Sequence, residues 1–129
     1  LMELGRLEGE SAFAQAIDTA GLISDEKLRA HTLWRLSAGQ RKAGDDAGRA
    51  KTEEMAETAT GEIKSPFTRV WMFCEIALEN SSEDRYSQAW SVFNRALGIA
   101  KGIESAWGRS RALTRLASTL IELTEVMKK

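Results

Sequence analysis

Residues 65–102 read SPFTRVWMFCEIALENSSEDRYSQAWSVFNRALGIAKG, and this stretch decides the fold. Ser65 followed by Pro66 is a helix start, with a hydroxyl placed to cap and a proline at the first helical position. Phe73, Ile76 and Ala77 then fall on one face of a helix that runs to about Asn80-Ser81. Ser82 is read as the next N-cap, with Glu83 and Asp84 in the first turn where acidic residues suit the dipole. The helix after it carries Ala89, Phe93, Ala96, Leu97 and Ala100 on one stripe and ends near Lys101-Gly102. Small residues at Ala77, Ala89 and Ala96 let the two axes approach, and Phe73 and Phe93 fill the space beside them. A short connection makes the pair antiparallel.

Outward from this hairpin, equivalent residues return every 40 positions. Ile23, Ile63 and Ile103 share a phase, as do Ala16, Ala56 and Ala96, and Arg29, Arg69 and Arg109. Leu36, Ile76 and Leu116 align, and so do the N-cap types Asp25, Ser65 and Ser105. A fixed period of this size marks stacked supersecondary units. The remaining helices follow: Met2 to Leu22 with Gly21 as terminator, Asp25 to Lys42, Asp45 or Asp46 to Glu62, and Ser105 to the C-terminus. Leu113, Leu116, Ala117, Leu120 and Ile121 form the apolar stripe expected in the last helix.

The set Phe73, Ile76, Ala77, Ala89, Phe93 and Ala96 resembles the tetratricopeptide (TPR) pattern. Gly9, Phe13 and Ala16 repeat its second-helix half, and Leu113, Leu116 and Ala117 its first-helix half. Leu33, Leu36 and Ser37 match less closely, and Arg49 and Glu53 stand where Ala89 and Phe93 stand later. The period here is longer than the family's, the extra residues falling in Leu97 to Gly102. Lys101 replaces the proline that closes the family's second helix, and Asn80 replaces an aromatic. HEAT-type repeats are the structural alternative. The implied fold is an all-α, right-handed α-α superhelix of about three antiparallel hairpins. The chain opens on Leu1, begins with a second-type helix and ends with a first-type one, the expected look of a single domain cut from a longer array.

The composition narrows the function classes. Eighteen basic and 19 acidic residues leave a net charge of −1 with no like-charged block, so no nucleic-acid partner is expected. No apolar run approaches membrane-spanning length, and the start lacks a signal-peptide pattern. With one cysteine, Cys74, nothing points to secretion, and a cytoplasmic location is expected. His31 is the only histidine, and neither it nor Cys74 sits in a ligand-spaced cluster, so no metal and no cofactor are expected. Cys74 follows Phe73 on the core stripe and reads as a buried structural thiol rather than a nucleophile. No glycine-rich phosphate loop and no acid, base and nucleophile set is present, so the chain is not read as an enzyme.

Arg29, Arg69 and Arg109 each lie in a helix's first turn, where the dipole disfavours a cation. The carbonyls left free at the end of the preceding helix are the expected partners.

In the implied superhelix the first helices of the hairpins line a concave face. Their non-core stripe reads His31, Arg35 and Ala38, then Trp71, Glu75 and Leu78, then Arg111, Arg115 and Ser118. A tryptophan flanked by arginines has hot-spot composition. The expected ligand is a protein or peptide with acidic groups, held by arginine against carboxylate, with Trp71 as apolar anchor. The competing expectation is that Trp71 packs on an adjacent helix and the arginines are merely solvated. Trp34, Trp90 and Trp107 are read as partly buried packing residues. A second expectation is structural: Leu120, Ile121 and Met127 lie on a last helix with no following helix to cover them, and would dock on another copy, as in a homodimer, or on a further part of a longer chain.

Overall fold

The computed structural model describes the backbone of residues 2–128 and the side chains of residues 8–128. All regular structure among them is helical: α1 Met2–Ala20, α2 Glu26–Lys42, α3 Asp46–Glu62, α4 Pro66–Ser82, α5 Tyr86–Lys101 and α6 Ala106–Lys128. The chain divides into two compact units, residues 1–62 and residues 63–129.

In the first unit α2 and α3 form the hairpin, and α1 packs on α2. Asp25 caps α2 by accepting from the Leu28 amide at 2.8 Å. Asp45 caps α3 in the same way from Gly48, at 2.9 Å. Three cross-links fix the antiparallel register. Trp34 Nε1 donates to Thr60 Oγ1 at 3.0 Å, Arg41 pairs with Glu53 at 2.8 Å, and Arg29 lies 3.9 Å from Glu62. Phe13 of α1 sits against Gly39 of α2, so closely that a Cβ there would lie 3.0 Å from the ring.

In the second unit α4 packs along α5 and also along α6, and α5 touches α6. Ser65 accepts from the Thr68 amide at 3.2 Å and Pro66 opens the helix, as the sequence predicts. The core is Val70, Met72, Phe73, Cys74, Ile76 and Ala77 of α4 against Ala89, Phe93, Ala96 and Ala100 of α5. α5 begins three residues later than the Ser82 cap predicts, because Ser82 completes α4. Its end at Lys101 agrees, and takes in the extra residues of the period.

The two hairpin turns share one design. The Asp45 amide donates to Gln40 O and Gly44 to Arg41 O; the Arg85 amide donates to Asn80 O and Asp84 to Ser81 O. These are paired Schellman bonds closing on a left-handed residue. That residue is Gly44 in the first hairpin, at φ 82°, and Asp84 in the second, at φ 60°.

Two rungs of the arginine ladder, Arg29 and Arg109, find loop carbonyls beyond the preceding helix rather than the expected carbonyls of its last turn. Arg29 Nη1 donates to Ile23 O at 2.7 Å and Arg109 Nη1 to Ile103 O at 2.9 Å. These two guanidinium groups satisfy loop carbonyls, while Arg69 Nε is buried with no hydrogen-bond partner.

The stripe of α6 differs from expectation. Ala112, Leu116, Thr119 and Leu123 are its buried residues. Leu113, Ala117, Leu120 and Ile121 are exposed, Leu113 at 40%. The predicted stripe straddles two faces of the helix, and only one is covered within the unit.

Candidate functional site

The groove of the second unit is built from two helices. Phe67 and Trp71 stand one turn apart on α4; Trp107, Ser110, Arg111, Thr114, Arg115 and Ser118 stand along α6. Together they line an open depression of about 440 Å³. Its floor is aromatic: the Phe67 and Trp71 rings lie 5.7 Å apart in a tilted pair.

Both arginines lie on these rings. Arg115 Cζ is 4.4 Å from the Trp71 ring centroid. Arg111 Cζ is 5.1 Å from Phe67 and 4.8 Å from Trp107, so it touches two rings. Stacking uses the flat face of a guanidinium and leaves its in-plane N–H groups to bind something else. Arg115 Nε is buried and has no hydrogen-bond partner. None of the eight lining residues is acidic. The groove therefore combines apolar surface with two cationic forks and no internal anion.

Beneath it lies Cys74, wholly buried. Desolvation raises its thiol pKa above the ordinary value; contacts with the Thr119 hydroxyl and the Arg115 guanidinium lower it by less, and Glu75 adds to the rise. A thiol so placed stays protonated and is a packing group, as its place on the stripe predicts.

Of the six residues predicted for binding, Trp71, Arg111 and Arg115 meet in this groove. Glu75 is half-buried one turn along α4 from Trp71 and does not line it. His31 and Arg35 belong to the first unit. Arg35 is exposed on α2, but His31 is buried beside Ala30 and Leu33, which corrects its assignment to an open face. Two residues from Leu33 is about 200° around α2, so His31 is covered on a second face of the helix rather than on the Leu33 stripe.

Trp107 corrects a second expectation. It is not a packing residue but 70% exposed, at the mouth of the groove. Trp34 and Trp90 are partly buried as expected, Trp90 edge-on to Phe93 at 5.8 Å. Phe67, Ser110 and Thr114 were missed. The period held the signal, since Phe67 and Trp107 are 40 apart, as are Trp71 and Arg111, and each precedes a named residue by one helical turn. Of the three residues predicted for assembly, Leu120 and Ile121 are exposed and Met127 is half-buried.

Among the described residues no three His, Cys, Asp or Glu side chains cluster to hold a metal ion, and no helix is long and apolar enough to cross a membrane. No family model matches the chain, nor does any curated protein or solved structure.

Proposed function

We propose that this chain is a binding module of TPR-like, superhelical type, acting in the cytoplasm as a scaffold rather than as an enzyme. Its ligand is a protein or peptide segment that carries carboxylates beside an apolar side chain. The observation supporting this is the pair of guanidinium groups spread on Phe67, Trp71 and Trp107 with no acid among the lining residues. Stacked arginine is pre-organised, so little rotamer freedom is lost when it grips a carboxylate in two places. Trp71 and Trp107 supply the rigid apolar area typical of a hot spot.

The test is calorimetric titration with a short peptide of alternating leucine and glutamate that keeps its C-terminal carboxylate. The control is the same peptide with glutamine for glutamate and an amidated end. Binding of the first and not the second supports the reading, with an affinity that falls at high salt. Equal binding of both, or of neither, overturns it.

The exposed Leu113, Leu120 and Ile121 favour a second reading, in which α6 is also an assembly surface.

A further inference from the structure

The groove of the second unit holds two cations where a single carboxylate needs one. Arg111 and Arg115 stand one turn apart on α6 and line the same depression. Like charges at this spacing repel. Arg115 is half-buried, so water screens it less than it would an open side chain. Each guanidinium is seated on aromatic rings, and none of the eight lining residues is acidic. The pair is therefore not neutralised within its own walls.

The lining between and beside the arginines is hydroxyl. Ser110, Thr114 and Ser118 follow at four-residue steps along α6 in the same groove. The Thr114 hydroxyl donates to the Ser110 carbonyl at 2.9 Å, but Ser110 and Ser118 are exposed and their hydroxyls can donate to an anion. A carboxylate has two oxygens and one charge, which one fork satisfies. A phosphate monoester has three terminal oxygens and close to two charges at neutral pH, so two forks and a hydroxyl can share it. The aromatic part of the groove says what carries the phosphate. Trp107 is 70% exposed, so ring surface stays open beside Arg111. The depression of about 440 Å³ lies within the range of roughly 300–1,000 Å³ for sites that take small organic groups. Phosphoserine would reach the arginines and leave that apolar surface wet. The phosphodiester of a nucleic acid or of most lipid headgroups carries a single charge and would leave one cation unanswered. Phosphotyrosine joins the dianion and an apolar body in one side chain.

We infer that the groove takes a phosphotyrosine side chain of a partner protein, its ring on the open surface of Trp107 and its phosphate shared by Arg111 and Arg115. The inference rests on the reading of the groove as an acidic-peptide site, and it names the residue that site selects. The rest of the peptide supplies the flanking carboxylates and apolar groups. An open depression does not enclose a free ion, so the phosphate is held as part of a chain.

Calorimetry on the full chain tests it with the leucine–glutamate peptide and two relatives, one with a central glutamate replaced by tyrosine and one with it replaced by phosphotyrosine. The phosphorylated peptide is expected to bind about tenfold or more tighter than either of the others, because a doubly charged acceptor is the stronger partner for paired forks. Arg111 is exposed, so Arg111→Gln should keep its helicity by circular dichroism and lose that advantage. An advantage that survives Arg111→Gln would put the phosphate elsewhere and overturn the inference. If the phosphorylated peptide binds no better than its parent, the inference is overturned and the acidic-peptide reading stands. If no peptide binds, both are overturned. Displacement of the phosphorylated peptide by an equal concentration of inorganic phosphate would reduce the groove to a bare anion site. Binding to vesicles that carry phosphatidic acid, with no preference for the phosphorylated peptide, would make it a membrane contact. Either result overturns the inference.

Discussion

Arg115 lies over Trp71, its guanidinium carbon 4.4 Å from the ring centroid, and its buried Nε has no hydrogen-bond partner. A cation on an aromatic face contributes about 0.5–2 kcal/mol according to how dry the site is. The stack fixes the arginine before any ligand arrives, and shape rather than charge alone should carry the recognition.

Arg115→Lys keeps the charge but loses the fork and the stack. We expect it to weaken binding of the leucine–glutamate peptide by about tenfold or more, near the loss from Arg115→Gln, because hot-spot truncation costs on the order of 2 kcal/mol. Calorimetry on both variants checks this. A lysine variant that binds as the native chain does would reduce the site to a generic positive patch.

The turn residues Gly44 and Asp84 play the same role with different side chains. At φ 60°, Asp84 occupies a region that suits glycine better. Asp84→Gly is expected to stabilise the second unit by about 0.5–1 kcal/mol, less whatever the 2.9 Å bond from Tyr86 Oη to Asp84 contributes. Gly44→Ala, at φ 82°, is expected to destabilise the first by about 1–2 kcal/mol. Urea unfolding followed by circular dichroism reads both shifts.

Gly98 lies inside α5 with nothing within 4 Å of where its Cβ would stand. Gly98→Ala therefore removes unfolded-chain freedom without a clash, and should add about 0.5–1 kcal/mol. Gly48→Ala should do the opposite. Its Cβ would collide with the Asp45 carboxylate that caps α3, and losing a cap costs about 0.5–2 kcal/mol. Thermal melts of the two variants should move in opposite directions.

Burial raises the Cys74 pKa above its usual 9.0, so the native state holds this proton more tightly than the unfolded chain does. The stability this gives is whole below pH 9.0 and is lost as pH climbs from there through the native value. Denaturation midpoints should fall above pH 9 in the native chain and fall less in Cys74→Ala. In the folded protein Cys74 should react with a disulfide reagent far more slowly than after unfolding.

Much of the helical layout was legible because local chemistry wrote it. Asp25 and Ser65 cap helices with their side chains, Pro66 takes the first helical position, and Phe73, Ala77, Ala89 and Phe93 are buried where their spacing places them. Ser82 misled because a serine near a helix end can finish one helix as readily as begin another, and only the left-handed Asp84 settles which. Three of the eight residues lining the candidate site were legible for the same reason. Trp71, Arg111 and Arg115 sit on the non-core stripe, but exposure depends on which neighbours exist, and a stripe does not record its neighbours. Thus His31 is covered, while Trp107 and Leu113 are open.

The central claim is that ligand sits in the groove beside Trp71 and Trp107, gripped by Arg111 and Arg115. Nuclear magnetic resonance of the indole N–H groups tests it directly, since the chain's four tryptophans, Trp34, Trp71, Trp90 and Trp107, give separate signals. Titration with the leucine–glutamate peptide should move the Trp71 and Trp107 signals and leave Trp34, bonded to Thr60, and Trp90 in place. Movement of Trp34 or Trp90 alone, or identical shifts in an Arg111→Glu, Arg115→Glu variant, would contradict it.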